Sequence, residues 1–121
     1  MLLANFRLTG NAQSGHGLEA VWVNEFFVQG VTISEHGGDG IPCHFCVEDM
    51  RLNDSPITYN KSAGLRALGN HDIVVSACPF EENRDAVFFP DARGPDGLEI
   101  SGVSIGGTPS GFISFGTGAP G

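Results

Sequence analysis

The sequence predicts an all-β domain, either an antiparallel β-sandwich or a small β-barrel of about eight short strands with at most one short helix. Three observations point there. Short β-branched and aromatic stretches alternate with clusters of Gly, Pro, Asn and Asp along the whole chain. Gly (18) and Pro (7) occupy 25 of the 121 positions, a density that interrupts helices. Charged residues make up 17% of the chain, against a usual ~25%, which leaves little for long solvated helix faces. The length fits one domain, residues 1–121, ending in a Gly/Pro-rich tail over 116–121.

The elements follow from local pattern. Leu2 to Thr9 reads as a strand, closed by Gly10-Asn11. Leu18 to Val28 is the longest apolar stretch, and a period of two places Leu18, Ala20, Trp22, Phe26 and Val28 on one face. Val31 to Ser34 continues after Gly30 with Val31 and Ile33 on one side, and Gly37-Gly38-Asp39-Gly40 is a turn. Ile41 to Glu48 aligns Cys43, Phe45 and Val47 on one face, before Asn53-Asp54-Ser55-Pro56 interrupts the chain. Lys61 to Gly69 is the one segment read as a helix, about two turns ended by a glycine.

Asp72 to Cys78 and Asp85 to Phe89 read as buried strands, each stopped by a proline. From Leu98 to Ile105 the apolar parity flips at Gly102, from Leu98 and Ile100 to Val103 and Ile105, the pattern of a bulge. Phe112 to Phe115 is the last strand, and no repeat at a fixed period stands out.

Charge narrows the partners. The chain carries 14 acidic and 6 basic side chains for a net charge of −8. Arg7, Arg51, Lys61, Arg66, Arg84 and Arg93 are scattered, so no run neutralises neighbouring phosphates, and no nucleic-acid partner is expected. No membrane partner is expected either, since there is no basic amphipathic helix and no apolar run of the ~18 residues a span needs. The start of the chain, Met1-Leu2-Leu3-Ala4-Asn5-Phe6, lacks the pattern of a secretory signal, and three cysteines do not form an even disulfide framework, so a reducing, cytoplasmic setting is expected.

The chemistry-bearing residues are sparse. Cys43-His44-Phe45-Cys46 is a C-x-x-C, and with His71 and Cys78 it supplies the composition of a Cys₃His zinc site. On a strand, Cys43 and Cys46 point to opposite faces, and no glycine between them allows a tight knuckle, so buried thiols are the favoured reading and no cofactor is expected. His16, His36, His44 and His71 lie in four segments without H-x-H spacing. There is no G-x-S-x-G elbow, no phosphate-cradling loop and no Asp-x-Asp-x-Asp-Gly calcium pattern.

Gly69-Asn70-His71-Asp72 resembles the Gly-Asn-His-Asp/Glu block of calcineurin-like metallophosphoesterases, with Gly38-Asp39 upstream in the place of that family's Gly-Asp motif. The block would imply metal ligation and acid chemistry. The chain departs from that pattern in lacking an Asp-x-His near its start and a Gly-His-x-His downstream, and two bridged metals need the full ligand set.

With no convergent chemistry, a non-catalytic role is expected. In composition over its whole length, acidic, Gly-rich, Lys-poor and β-rich, the chain resembles small virion structural proteins of tailed bacteriophages, such as capsid decoration or cement proteins and tail components. That resemblance rests on no motif and carries over no residue. It implies a virion location and a homo-oligomer, joined to other structural proteins, that assembles through strand edges and termini. Two other roles fit the residues less directly: a small metal-binding barrel enzyme using His or Cys with carboxylates, and a carbohydrate- or small-ligand-binding sandwich using Trp22 or Tyr59 as an exposed platform.

Overall fold

The structure is a computed structural model that describes residues 1–45, 49–69, 71–89, 96–107 and 113–115, some of them by backbone alone. Among the described residues fifteen short strands follow one another: β1 (Leu2–Ala4), β2 (Arg7–Thr9), β3 (Ala20–Val21), β4 (Phe26–Gln29), β5 (Thr32–Ser34), β6 (Ile41–His44), β7 (Met50–Asn53), β8 (Ile57–Thr58), β9 (Ala63–Leu68), β10 (His71–Ser76), β11 (Pro79–Glu81), β12 (Asp85–Phe89), β13 (Asp96–Ser101), β14 (Ser104–Gly106) and β15 (Ile113–Phe115). They form three five-stranded sheets. Sheet A is β1-β4-β7-β10-β13, sheet B is β14-β11-β8-β5-β2, and sheet C is β15-β12-β9-β6-β3.

Each strand pairs with the one three places on, always in parallel, so the chain winds as a β-solenoid of about four turns. Paired residues such as Leu2 and Phe27, Ala63 and Asp85, and Val87 and Ile113 lie 25, 22 and 26 positions apart, which sets the length of a coil. This overturns the antiparallel sandwich or barrel and reveals a repeat where none was expected. Antiparallel pairing needs hairpin turns that reverse the chain. Here each turn instead redirects it into the next sheet.

The corners explain how. Residues with left-handed backbone recur at equivalent positions: Asn5, Gly30, Asp54, Ala77 and Gly102 between sheets A and B; Glu35, Tyr59, Glu82 and Gly107 between B and C; Trp22, Phe45 and Gly69 between C and A. Their φ values run from 49° to 68°. At nine of them the N–H donates to the carbonyl that precedes the matching corner one coil on, as Asn5 to Gln29, Gly30 to Asn53 and Asp54 to Ser76 do at the first corner, so the ladder continues around the bend.

Several expectations change with this geometry. Leu2 to Thr9 is two strands bent at Asn5, and Leu18 to Val28 is two strands separated by the Trp22 corner. Trp22 therefore leaves the face of Leu18 and Ala20 and is 71% exposed. The turn at Phe45 likewise ends the strand begun at Ile41. The segment read as a helix contains β9, because Leu65 and Ala67 stack on Ile41 and Cys43 at strand period. The parity flip at Gly102 marks a corner, not a bulge. Asp85 to Phe89 is a strand as expected, while the tail over 116–121 lies outside the described residues.

One core fills the solenoid. Phe26, Val28, Val31, Ile33 and Ile41 of the second coil, and Met50, Leu52, Ile57 and Leu65 of the third, are fully buried. Sheet C begins on a column of small residues, Gly17, Gly40, Gly64 and Ala86. A Cβ at Gly17 would lie 2.5 Å from the Gly40 carbonyl oxygen, and one at Gly40 would lie 2.7 Å from that of Gly64. Among the described residues no helix is long and apolar enough to cross a membrane.

Candidate functional site

The first coil is built like the second but covered differently. Leu3 pairs with Val28 and Leu8 with Ile33, while Met1, Phe6 and Leu18 hold the register positions of Phe26, Val31 and Ile41. All five second-coil residues are buried. Leu3, Leu8 and Leu18 are only half-buried, and Met1 and Phe6 are exposed at 60% and 40%. The first coil thus presents a cross-section of the solenoid interior. Burying such side chains is worth about 1.5–3 kcal/mol each, so the surface carries a strong drive to be covered.

Backbone adds to the side chains. β1, β2 and β3 are the end strands of sheets A, B and C, and among the described residues each pairs on one side only. Such edges are templates for another strand. Trp22 stacks on Phe45 with ring centroids 4.7 Å apart and planes 17° apart, while the Phe45 ring lies over Gly69. The stack follows the third corner along the solenoid and reaches the first coil at Trp22. Of the seven exposed large apolar side chains among the described residues, Met1, Leu2, Phe6, Val21 and Trp22 belong to this coil.

A polar cluster lies beneath the outer side of sheet C. Asp39, almost fully buried, receives hydrogen bonds from the Ala63 N–H at 2.9 Å and from Arg66 Nε at 2.8 Å. Burial opposes ionisation of this carboxyl, but Arg66, Ala63 and the Ser62 hydroxyl outweigh it and hold its pKa below 3.8. Arg66 is fixed from its other side by the Phe88 ring, 4.7 Å from the guanidinium carbon. The Asp39 N–H donates to His16 Nδ1, so that nitrogen carries no proton, and the 3.5 Å approach of His16 to the Asp39 carboxylate is not an ion pair. Burial, reinforced by Arg66, lowers the pKa of His44. With its carboxylate committed to Arg66 and Ala63, the cluster ties neighbouring coils together.

Of the metal set named from the sequence, only Cys43 and Cys78 have described side chains. Cys43 is buried facing the interior from sheet C, and Cys78 is buried at the corner between sheets A and B, its thiol donating toward the Leu52 and Ser76 carbonyls. Burial pushes the Cys78 pKa up to about 11. Cys46 and Asn70 fall outside the described residues, and His71 is described by backbone only, opening β10. Among the described residues no three His, Cys, Asp or Glu side chains converge as a metal site. His16 and His44 both lie near Asp39, while His36 sits between Leu8 and Asn60. Sequence reasoning missed Met1, Phe6 and Leu8, because only knowledge of the repeat shows that their counterparts are buried.

No family model, curated protein or solved structure matches the chain.

Proposed function

We propose that the chain is a non-catalytic structural subunit that assembles through its first coil, with a second copy of itself as the partner. The observation that carries this reading is the concentration of exposed apolar side chains on that coil, at positions whose counterparts one coil on are buried. A two-fold contact between first coils covers both patches at once and closes without further growth. Pairing of β1, β2 or β3 across it supplies backbone hydrogen bonds, and the open side of the Trp22 stack offers an aromatic anchor. The compositional likeness to small phage virion proteins agrees with such a role, and placement in a virion belongs to the same proposal.

The test is mass in solution. Native mass spectrometry and sedimentation of the chain at about 100 μM, a range that captures micromolar affinities, are expected to show a dimer. Phe6→Asp and Trp22→Ser each remove an exposed apolar contact and are expected to give a folded monomer. A wild-type chain that stays monomeric at that concentration, or a dimer indifferent to both substitutions, overturns the reading.

A further inference from the structure

Tyr59 stands at the left-handed corner between sheets B and C and is 58% exposed. Glu35 and Glu82 hold the same corner position in the coils on either side. Neighbouring strands of a sheet lie ~4.8 Å apart, so these residues form a short row along the solenoid with the aromatic residue between two carboxylates. A cleft opens on each side of the tyrosine. One, of about 310 Å³, is bordered by Arg7, Ser34, Glu35 and Thr58; the other, of about 450 Å³, is bordered by Lys61, Glu82, Arg84 and Gly107. The wall of the larger cleft is held in place, since Asn60 and Asn83 are buried and hydrogen-bonded to each other. Among the described residues Arg7, Lys61, Glu35 and Glu82 form no ion pair.

The mixture of charges selects the ligand class. A polycation on this row meets Arg7, Lys61 and Arg84, and a polyanion meets Glu35 and Glu82. A neutral sugar chain meets neither penalty. Each hydroxyl both donates and accepts, so it uses ammonium and guanidinium donors together with carboxylate acceptors. The apolar C–H face of a pyranose packs on an exposed aromatic ring, whose hydroxyl remains available for a hydrogen bond. Two clefts flanking one ring accommodate more than one sugar, and their sizes fall at the lower end of ordinary ligand sites. We propose that the Tyr59 corner binds a neutral oligosaccharide, with one sugar stacked on Tyr59 and its neighbours extending into the two clefts. The smaller cleft touches the first coil at Arg7 of β2, while Tyr59 and the larger cleft belong to later coils and do not depend on assembly at the first.

The experiment is an amide NMR titration of the full chain with cellohexaose, chitohexaose, maltohexaose and laminarihexaose in turn. At least one is expected to shift the amides of Ser34, Thr58, Lys61 and Arg84 saturably, with an affinity on the order of 1 mM. Tyr59→Asn suits a left-handed backbone and so retains the fold. It is expected to weaken binding about tenfold, the scale of one lost ring contact, while Trp22→Ser leaves affinity unchanged. The proposal is overturned if none of the four moves those amides at about 10 mM, if binding survives Tyr59→Asn, or if the shifts gather instead around Trp22 and Phe45.

Discussion

Asn60 and Asn83 occupy the same position in consecutive coils, and the Asn60 side chain donates to Asn83 Oδ1 at 2.9 Å. The Asn60 backbone N–H reaches the same oxygen at 3.1 Å, and Asn83 Nδ2 donates to the Ile57 carbonyl at 2.8 Å. One buried amide therefore satisfies three groups of the neighbouring coil. Asn83→Ala takes a partner from all three, leaving Asn60 Nδ2 only its 3.4 Å bond to the Ile33 carbonyl, at about 1–3 kcal/mol for each group left unpaired. The expected loss is about 3 kcal/mol, read as a lower urea midpoint with an unchanged slope. A loss under about 0.5 kcal/mol, the level of an ordinary surface substitution, would show that the ladder is not what joins these coils.

His36 continues that ladder one coil earlier. Its backbone N–H donates to Asn60 Oδ1, and its Nε2 lies 3.2 Å from the Leu8 carbonyl, as the asparagine amides lie toward Ile33 and Ile57. Because a carbonyl only accepts, the proton sits on Nε2. Nδ1 is left buried without a hydrogen bond among the described residues. His36→Asn preserves the donor and removes the unpaired nitrogen, so the expected stability change is under about 1 kcal/mol. His36→Leu keeps bulk but loses the donor, and an expected loss of about 2 kcal/mol separates the two in the same denaturation assay.

Asp39 and His44 give the fold two acid-sensitive steps. For His44, burial and Arg66 lower the folded-state pKa below 6.5, so the unfolded chain takes up a proton first and stability declines as pH falls below that value. For Asp39, burial is outweighed by Arg66, Ala63 and Ser62, and the folded-state pKa lies below 3.8. Its contribution is present above the unfolded value and disappears as pH falls through the folded one. Thermal melts from pH 7 to 3 are expected to show both declines. Asp39→Asn should remove the lower step and cost about 3 kcal/mol at neutral pH, because it takes the Asp39 carboxylate away from the largely buried Arg66 guanidinium.

Cys78 and Cys43 are both buried. With the Cys78 pKa raised to about 11, almost no thiolate exists at pH 8, and access requires the coils to open. In a Cys46→Ser background, a disulfide reagent at pH 8 is expected to label the native chain no faster than it unfolds and to label both thiols at once in denaturant. Stability should also fall as pH rises from about 9 toward 11, since the unfolded thiol ionises first. Rapid native labelling would place these thiols nearer the surface than β6 and the Cys78 corner put them.

The sequence displays β-character plainly and conceals the winding. Strand identity depends on local pattern, so Asp85 to Phe89 and the core residues Val31 and Ile33 were legible from alternation. The corners were not, because the left-handed position usually betrays itself by Gly or Asn. At half of the corners it is filled instead by Trp22, Phe45, Tyr59, Glu35, Glu82 and Ala77, which read as strand or loop residues. The first-coil surface was hidden for the same reason: Phe6 and Leu8 look like ordinary core until the register sets them beside Val31 and Ile33. Coil lengths that vary from 22 to 26 residues blurred the period further.

One signal of the repeat was nevertheless in the chain. Gly17-Leu18, Gly40-Ile41, Gly64-Leu65 and Ala86-Val87 recur at intervals of 23, 24 and 22 residues, a small residue followed by a core residue at the start of each pass through sheet C. The small residue is required where coils approach closely. A Cβ at Gly40 would meet the Gly64 carbonyl oxygen at 2.7 Å and both Asn60 Nδ2 and Ile57 Cγ2 at 2.9 Å. The backbone oxygen cannot rotate away, and moving Asn60 breaks its bond to Asn83. Gly40→Ala is therefore expected to destabilise the chain by about 1–3 kcal/mol, as overpacking does, although alanine ordinarily favours a folded backbone over glycine. Gly15, where an added Cβ meets nothing within 4 Å, is the control: Gly15→Ala should change stability by under about 0.5 kcal/mol. Equal effects at the two positions would mean that the spacing of coils does not restrict this column, and that its recurrence has another cause.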